Sequence, residues 1–162
     1  MTNKDIFVTI MFMTVSSLLS QSIESKIRTF AKNEYPSDYK MQEYIYDQQM
    51  SAYRYMITVT DSEVESIAKR EYPDDYTMQK YIYNNQSSAK NYMRTVDDNE
   101  IKEIAYREYP DDYTMQKYVY NNQLSAKNYM DSTTNSDAKF KARREYPNDY
   151  TMQKYTYDKL AY

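Results

Sequence analysis

The sequence predicts an all-α chain: an α-solenoid-like array of four 37-residue helix-turn-helix repeats, the last of them truncated. Three observations carry this. Glu34-Tyr35-Pro36, Glu71-Tyr72-Pro73, Glu108-Tyr109-Pro110 and Glu145-Tyr146-Pro147 recur at a constant interval of 37 residues and open four versions of E-Y-P-x-D-Y-x-M-Q-x-Y-x-Y. A fixed period of this size marks stacked supersecondary units. Gly is absent, which removes the residue that most readily takes φ > 0 and argues against hairpin-rich β structure. Finally, apolar residues recur within each copy at helical spacing.

The first element is the apolar run at 6–20, preceded by Lys4 and followed by Ser20-Gln21-Ser22. Its 15 residues fall short of the ~20 that a membrane span needs and match the apolar core of a secretory signal. Residues 1–22 are therefore expected to be a signal peptide or a hydrophobic N-terminal helix. Residues 23–162 form the repeat domain, in units 25–61, 62–98, 99–135 and 136–162.

Each unit opens with a short helix. Ser25, Ser62, Asn99 and Ser136 occupy equivalent positions and belong to the set that caps helix N-termini, with Glu65 completing a capping box after Ser62. Val64, Ile67, Ala68 and Tyr72 then lie on one face of a helix of about ten residues. Pro73 ends it, because it lacks an N–H and disfavours helical backbone at Tyr72.

A long helix follows. Ser37, Asp74, Asp111 and Asn148 are all cap residues, and Asp38, Asp75, Asp112 and Asp149 after them suit the positive end of the helix dipole. In the second copy the expected buried stripe is Met78, Tyr81, Ile82, Gln86, Ala89 and Met93, over about 20 residues. The fourth copy stops at Tyr162, so its long helix is short. There Lys141 replaces Ile67 and Ile104, as on the polar outer helix of a capping repeat.

Composition narrows function. His, Cys and Trp are absent, which removes the usual transition-metal ligands, the thiol nucleophile and the side chain that titrates near neutrality. With 21 Lys and Arg against 24 Asp and Glu intermixed in every copy, no basic stripe awaits a phosphate backbone, and nucleic acid is excluded as a partner. No cofactor or metal is implied. The acidic cluster of Glu71, Asp74 and Asp75 lacks the spacing and turn Gly of a Ca²⁺ loop, and capping accounts for its aspartates.

The unusual richness is Tyr, 22 against 4 Phe. Tyr suits places where one end of a side chain is packed and the other wet. The pairs Tyr44/Tyr46, Tyr81/Tyr83, Tyr118/Tyr120 and Tyr155/Tyr157 diverge by about 200° on a helix, so one member of each leaves the main seam. These eight are the candidate binding surface. Gln49, Gln86 and Gln123 interrupt the apolar stripe; a buried Gln needs partners for both its donor and its acceptor, so they are expected to bond across repeat junctions, near the Pro turn. Leu160 takes that place in the last copy, where no further junction exists.

The P-x-D-Y-x-M-Q segment, with Gln seven residues on, resembles short helical segments of small bacterial proteins with no assigned role. In outline the helix pair is similar to tetratricopeptide-like solenoids, at 37 rather than 34 residues and without their Trp, Gly and Ala pattern. Neither resemblance implies an activity.

The expected function is that of an exported, non-catalytic repeat protein that binds or assembles through a Tyr-rich face. Its partner would be a protein, a peptide, a carbohydrate polymer or another copy. Two alternatives stay open: a ligand-sequestering or enzyme-like domain using Tyr and carboxylates, and a scaffold held at a membrane by residues 6–20. The location is correspondingly secreted or periplasmic, or membrane-anchored.

Overall fold

The prolines at 36, 73, 110 and 147 each end a helix, as their chemistry requires. In the computed structural model residues 21–161 are described; 80% of them are helical and none is in a strand. The apolar run at 6–20, and with it the choice between signal peptide and anchor, lies outside the described residues. Among those residues no helix is long and apolar enough to cross a membrane.

The helices are α1 (21–34 within the described residues), α2 (Tyr39–Met56), α3 (Ser62–Glu71), α4 (Tyr76–Thr95), α5 (Asn99–Glu108), α6 (Tyr113–Ser132), α7 (Ser136–Glu145) and α8 (Tyr150–Leu160). Short helices of 10 residues alternate with long ones of 18 to 20, and α8 has 11. The expected alternation of shorter and longer helices is present from α2 to α8.

The caps lie one residue from their expected places. Asp61, Asp98 and Asn135 cap α3, α5 and α7, accepting from Val64, Ile101 and Ala138 N–H, while Ser62, Asn99 and Ser136 are first helical residues. Ser25 caps nothing, because α1 runs through it; Glu24 stands where the other copies have Asp or Asn. The long helices are capped by Asp38, Asp75, Asp112 and Asp149. Ser37, Asp74, Asp111 and Asn148 belong instead to the turn that Pro starts.

The chain divides into two compact units, Met1–Tyr83 and Asn84–Tyr162, and the boundary falls within α4. In the first, α1 buries Ile27 and Ala31, α2 buries Met50, Ala52 and Met56, and α3 buries Val64, Ile67 and Ala68. Arg28 on α1 pairs with Glu43 on α2 at 3.1 Å. In the second, α6 packs on both α5 and α8, and α7 packs on α8, in a bundle-like arrangement. Met93, Ile101, Ile104, Ala105, Val119, Tyr120, Ala126 and Tyr150 form its larger core cluster. Lys141 is exposed, leaving α7 only Ala138 and Ala142 to bury.

The stripe of α4 differs from expectation in its first half. Gln79, Tyr83, Gln86, Ala89 and Met93 are buried; Met78 and Ile82 are half-buried and Tyr81 is exposed. The Gln79 amide donates back to Tyr72 O at 2.6 Å and Pro73 O at 3.2 Å, which turns that face of the helix toward the Pro turn. A polar residue therefore holds a core position that hydrophobic periodicity assigned to Met78.

Candidate functional site

Residues two apart on a helix diverge, and the four Tyr-x-Tyr pairs divide accordingly. Tyr83, Tyr120 and Tyr157 are buried, 3–9% exposed. Each inner hydroxyl accepts from the backbone N–H of a short-helix cap: Tyr83 from Asp61 at 3.4 Å, Tyr120 from Asp98 at 3.3 Å and Tyr157 from Asn135 at 3.3 Å. Each ring meets another Tyr edge-on, in the pairs Tyr55–Tyr83, Tyr92–Tyr120 and Tyr129–Tyr157, with centroids 6.2–6.3 Å apart. Lys80, Lys117 and Lys154 lie over the outer ring of each pair. These three inner tyrosines, placed by sequence on the candidate surface, are packing residues. Tyr46 differs because α1 continues through Glu24 and offers no cap N–H; its ring is half-buried 4.0 Å beneath Arg28.

The outer members are uniform. Tyr44, Tyr81, Tyr118 and Tyr155 are 53–62% exposed. Each has a half-buried Met three residues earlier, Met41, Met78, Met115 or Met152, on the same helix face. Each unit thus shows two Met–Tyr patches, Tyr44 and Tyr81 in the first and Tyr118 and Tyr155 in the second. A Lys159 ammonium lies 4.2 Å over the Tyr155 ring.

The glutamine junctions form as expected, with partners one step further on than the Pro turn itself. Gln49 accepts from Tyr76 N–H at 2.7 Å and donates to Asp75 at 2.8 Å. Gln86 does the same with Tyr113 and Asp112, and Gln123 with Tyr150 and Asp149. The Pro-turn carbonyls go instead to a second set, Gln42, Gln79, Gln116 and Gln153, which sequence reasoning passed over. The M-Q step in all four copies was the available signal. Leu160, in the junction register, is exposed.

No known family, curated protein or solved structure matches this chain. Its chemistry rests on its own side chains. Burial alone would raise the carboxyls of Asp75, Asp112 and Asp149, but hydrogen bonds from the Thr two residues on, a first-turn N–H and the junction Gln outweigh it and hold each below its ordinary value. Of the acidic cluster, Asp75 is thereby accounted for by capping, while Asp74 lies in the Pro turn and Glu71 ends α3.

One set of titratable groups converges in the second unit. Lys127 Nζ lies 2.7 Å from Asp98 and 3.4 Å from Glu100, and Tyr150 donates to Glu100 at 2.9 Å. The bond to Asp98 raises Lys127 against the opposing effect of burial; burial and the Glu100 contact raise Tyr150. Lys127 stays charged and Tyr150 stays protonated, the reverse of what a general base or nucleophile requires. The group ties α5, α6 and α8 together.

Proposed function

We propose that this chain is a four-repeat helical array that works by binding or assembly through the outer tyrosines of its long helices. The observation that carries the reading is the outward placement of one member of every Tyr-x-Tyr pair, Tyr44, Tyr81, Tyr118 and Tyr155, opposite inner partners that are buried in three pairs and half-buried at Tyr46. Three inner partners are fully committed to packing, so the outer four are free of that duty. The same Gln junction at 49, 86 and 123 supports the repeat array, since each copy is joined to the next by one set of contacts. Tyr beside Met is the composition of recognition surfaces: large, amphipathic and cheap to order. Such a surface suits a protein, a peptide, a carbohydrate polymer or a second copy.

The test is the quadruple variant Tyr44→Ser, Tyr81→Ser, Tyr118→Ser and Tyr155→Ser. Circular dichroism should show nearly unchanged helicity, while self-association by sedimentation, or retention on peptide and polysaccharide arrays, is lost. Unfolding of the variant would make these tyrosines core residues. A folded variant that binds as before would move the functional surface elsewhere. Export belongs to the same proposal and rests on the run at 6–20; the intact mass of the natively produced protein checks it.

A further inference from the structure

In a chain that is 28% charged, the exposed face of a helix ordinarily carries Lys and Glu, which suit water and form helix well. The outer face of α6 carries neither. Among residues 113–130 the exposed ones are Tyr118, Asn121, Asn122, Ser125 and Asn128. They fall within about a third of the helix circumference and run ~15 Å along it. The charges that α6 does hold are each engaged: Lys117 lies 4.9 Å over the Tyr92 ring, Lys127 pairs with Asp98 and Glu100, and Asp131 in the last turn pairs with Arg143.

This stripe has no packing duty that explains it. Asn121 accepts from the Tyr92 hydroxyl at 2.6 Å, while Asn122, Ser125 and Asn128 have no side-chain partner among the described residues. Asn and Ser are poorer helix formers than Lys, Glu or Ala, so the stripe costs α6 stability and returns little within the chain. The second copy repeats the pattern in sequence, with Tyr81, Asn84, Asn85, Ser88 and Asn91 at the same spacing. The first and last copies depart from it: Arg54 stands at the place of Asn128, and Lys159 at that of Asn122.

What such a face recognises follows from its hydrogen-bonding types. Lys only donates and a carboxylate only accepts, whereas Asn, Ser and Tyr do both. A face made of these alone matches a ligand whose polar groups also do both and which brings no charge. Sugar hydroxyls are such groups. An Asn amide, with donor and acceptor side by side, bridges two neighbouring hydroxyls, and the π face of an exposed Tyr takes the C–H-lined face of a pyranose ring. A protein partner fits less well, since the centre of a protein interface is apolar and Ser is depleted there.

We infer that the Tyr118 stripe of α6 is a binding site for an uncharged polysaccharide, with a sugar ring on Tyr118 and hydroxyls bonded to Asn122, Ser125 and Asn128. This rests on the reading of the outer tyrosines as the binding surface, and names the class of ligand for one of them.

The probes are neutral cello-, manno-, malto- and N-acetylchito-oligosaccharides, titrated into the full chain by isothermal calorimetry at low and high salt, with the side-chain amides of Asn122 and Asn128 followed by NMR. One series should bind saturably, shift both amides and bind equally at the two salt concentrations, since salt screens only charges. The double variant Asn122→Lys and Asn128→Arg writes in the residues that the last and first copies hold at these places. Circular dichroism should show its helicity kept, while its affinity falls about tenfold or more. The inference is overturned if no series binds saturably, if the double variant binds equally well, or if binding weakens with salt, the sign of a charged partner. The outer-tyrosine reading is decided separately: it stands if peptide binding or self-association is lost with the four tyrosines, whatever the sugars do.

Discussion

A single amide turns each short helix into the next long one. Gln116 is buried and donates to Tyr109 O at 2.6 Å and Pro110 O at 3.3 Å. These are carbonyls that a helix end leaves over and that Pro cannot help satisfy. Replacing Gln116 by Glu removes that donor and sets a carboxylate against two oxygens. The buried Glu should titrate well above its unfolded value, since protonation restores an O–H donor toward Tyr109 O. A group raised in the folded state favours folding below its unfolded pKa and loses that contribution as pH rises through the folded one. The variant should therefore be least stable at neutral pH, by at least ~1–3 kcal/mol, and recover toward pH 4. Urea midpoints across that range check the direction; a pH-independent loss would mean the position matters for shape alone.

At the scale of the element, the order of core costs follows the observed stripe. Met93 is fully buried and Met78 only half-buried, so Met93→Ala should cost ~2–5 kcal/mol and Met78→Ala clearly less; Pro73→Ala, which changes a turn, should also cost less than Met93→Ala. Thermal melts showing Met78 to be the costlier would return the stripe to its sequence-derived register. Gln123→Leu should cost ~1–3 kcal/mol by orphaning the Tyr150 and Thr151 N–H groups, and should let Asp149 rise toward its ordinary pKa, readable by carboxyl NMR. Helix number, lengths and Pro stops were legible because period, caps and breakers agreed. Cap positions were not, because cap-forming residues stand in adjacent pairs such as Asp61-Ser62 and Asp74-Asp75. Tertiary contacts choose between them: the Tyr83 hydroxyl pins Asp61, and the Gln49 amide holds Asp75. The half-right stripe has the same origin, since a hydrophobicity pattern assigns Gln79 to water while its bonds to two carbonyls place it in the core. The Tyr pairs were divided correctly by helix geometry, but which member faced out depended on cap N–H groups that lie 22 residues away in sequence.

For the molecule as a whole, the junction aspartates set an acid limit. Asp75, Asp112 and Asp149 titrate below an unfolded Asp, near 3.9, so between the two values the unfolded chain binds more protons. Stability should be complete above about pH 5 and fall as pH drops through the folded values. The triple variant Gln49→Leu, Gln86→Leu and Gln123→Leu should be less stable at neutral pH and show a shallower acid decline. Equal declines would assign acid sensitivity to carboxylates other than these three.

The junction bonds also close only short loops, 26 to 28 residues from Gln to its partners, and each closure involves one copy and its successor. A gene encoding such a chain can gain or lose a whole 37-residue segment between equivalent codons without disturbing any other joint. Length becomes a heritable variable, adjustable by unequal crossing-over. The near identity of the second and third copies, which share Tyr-Pro-Asp-Asp-Tyr-Thr-Met-Gln-Lys-Tyr at 72–81 and 109–118, is the trace such an exchange would leave.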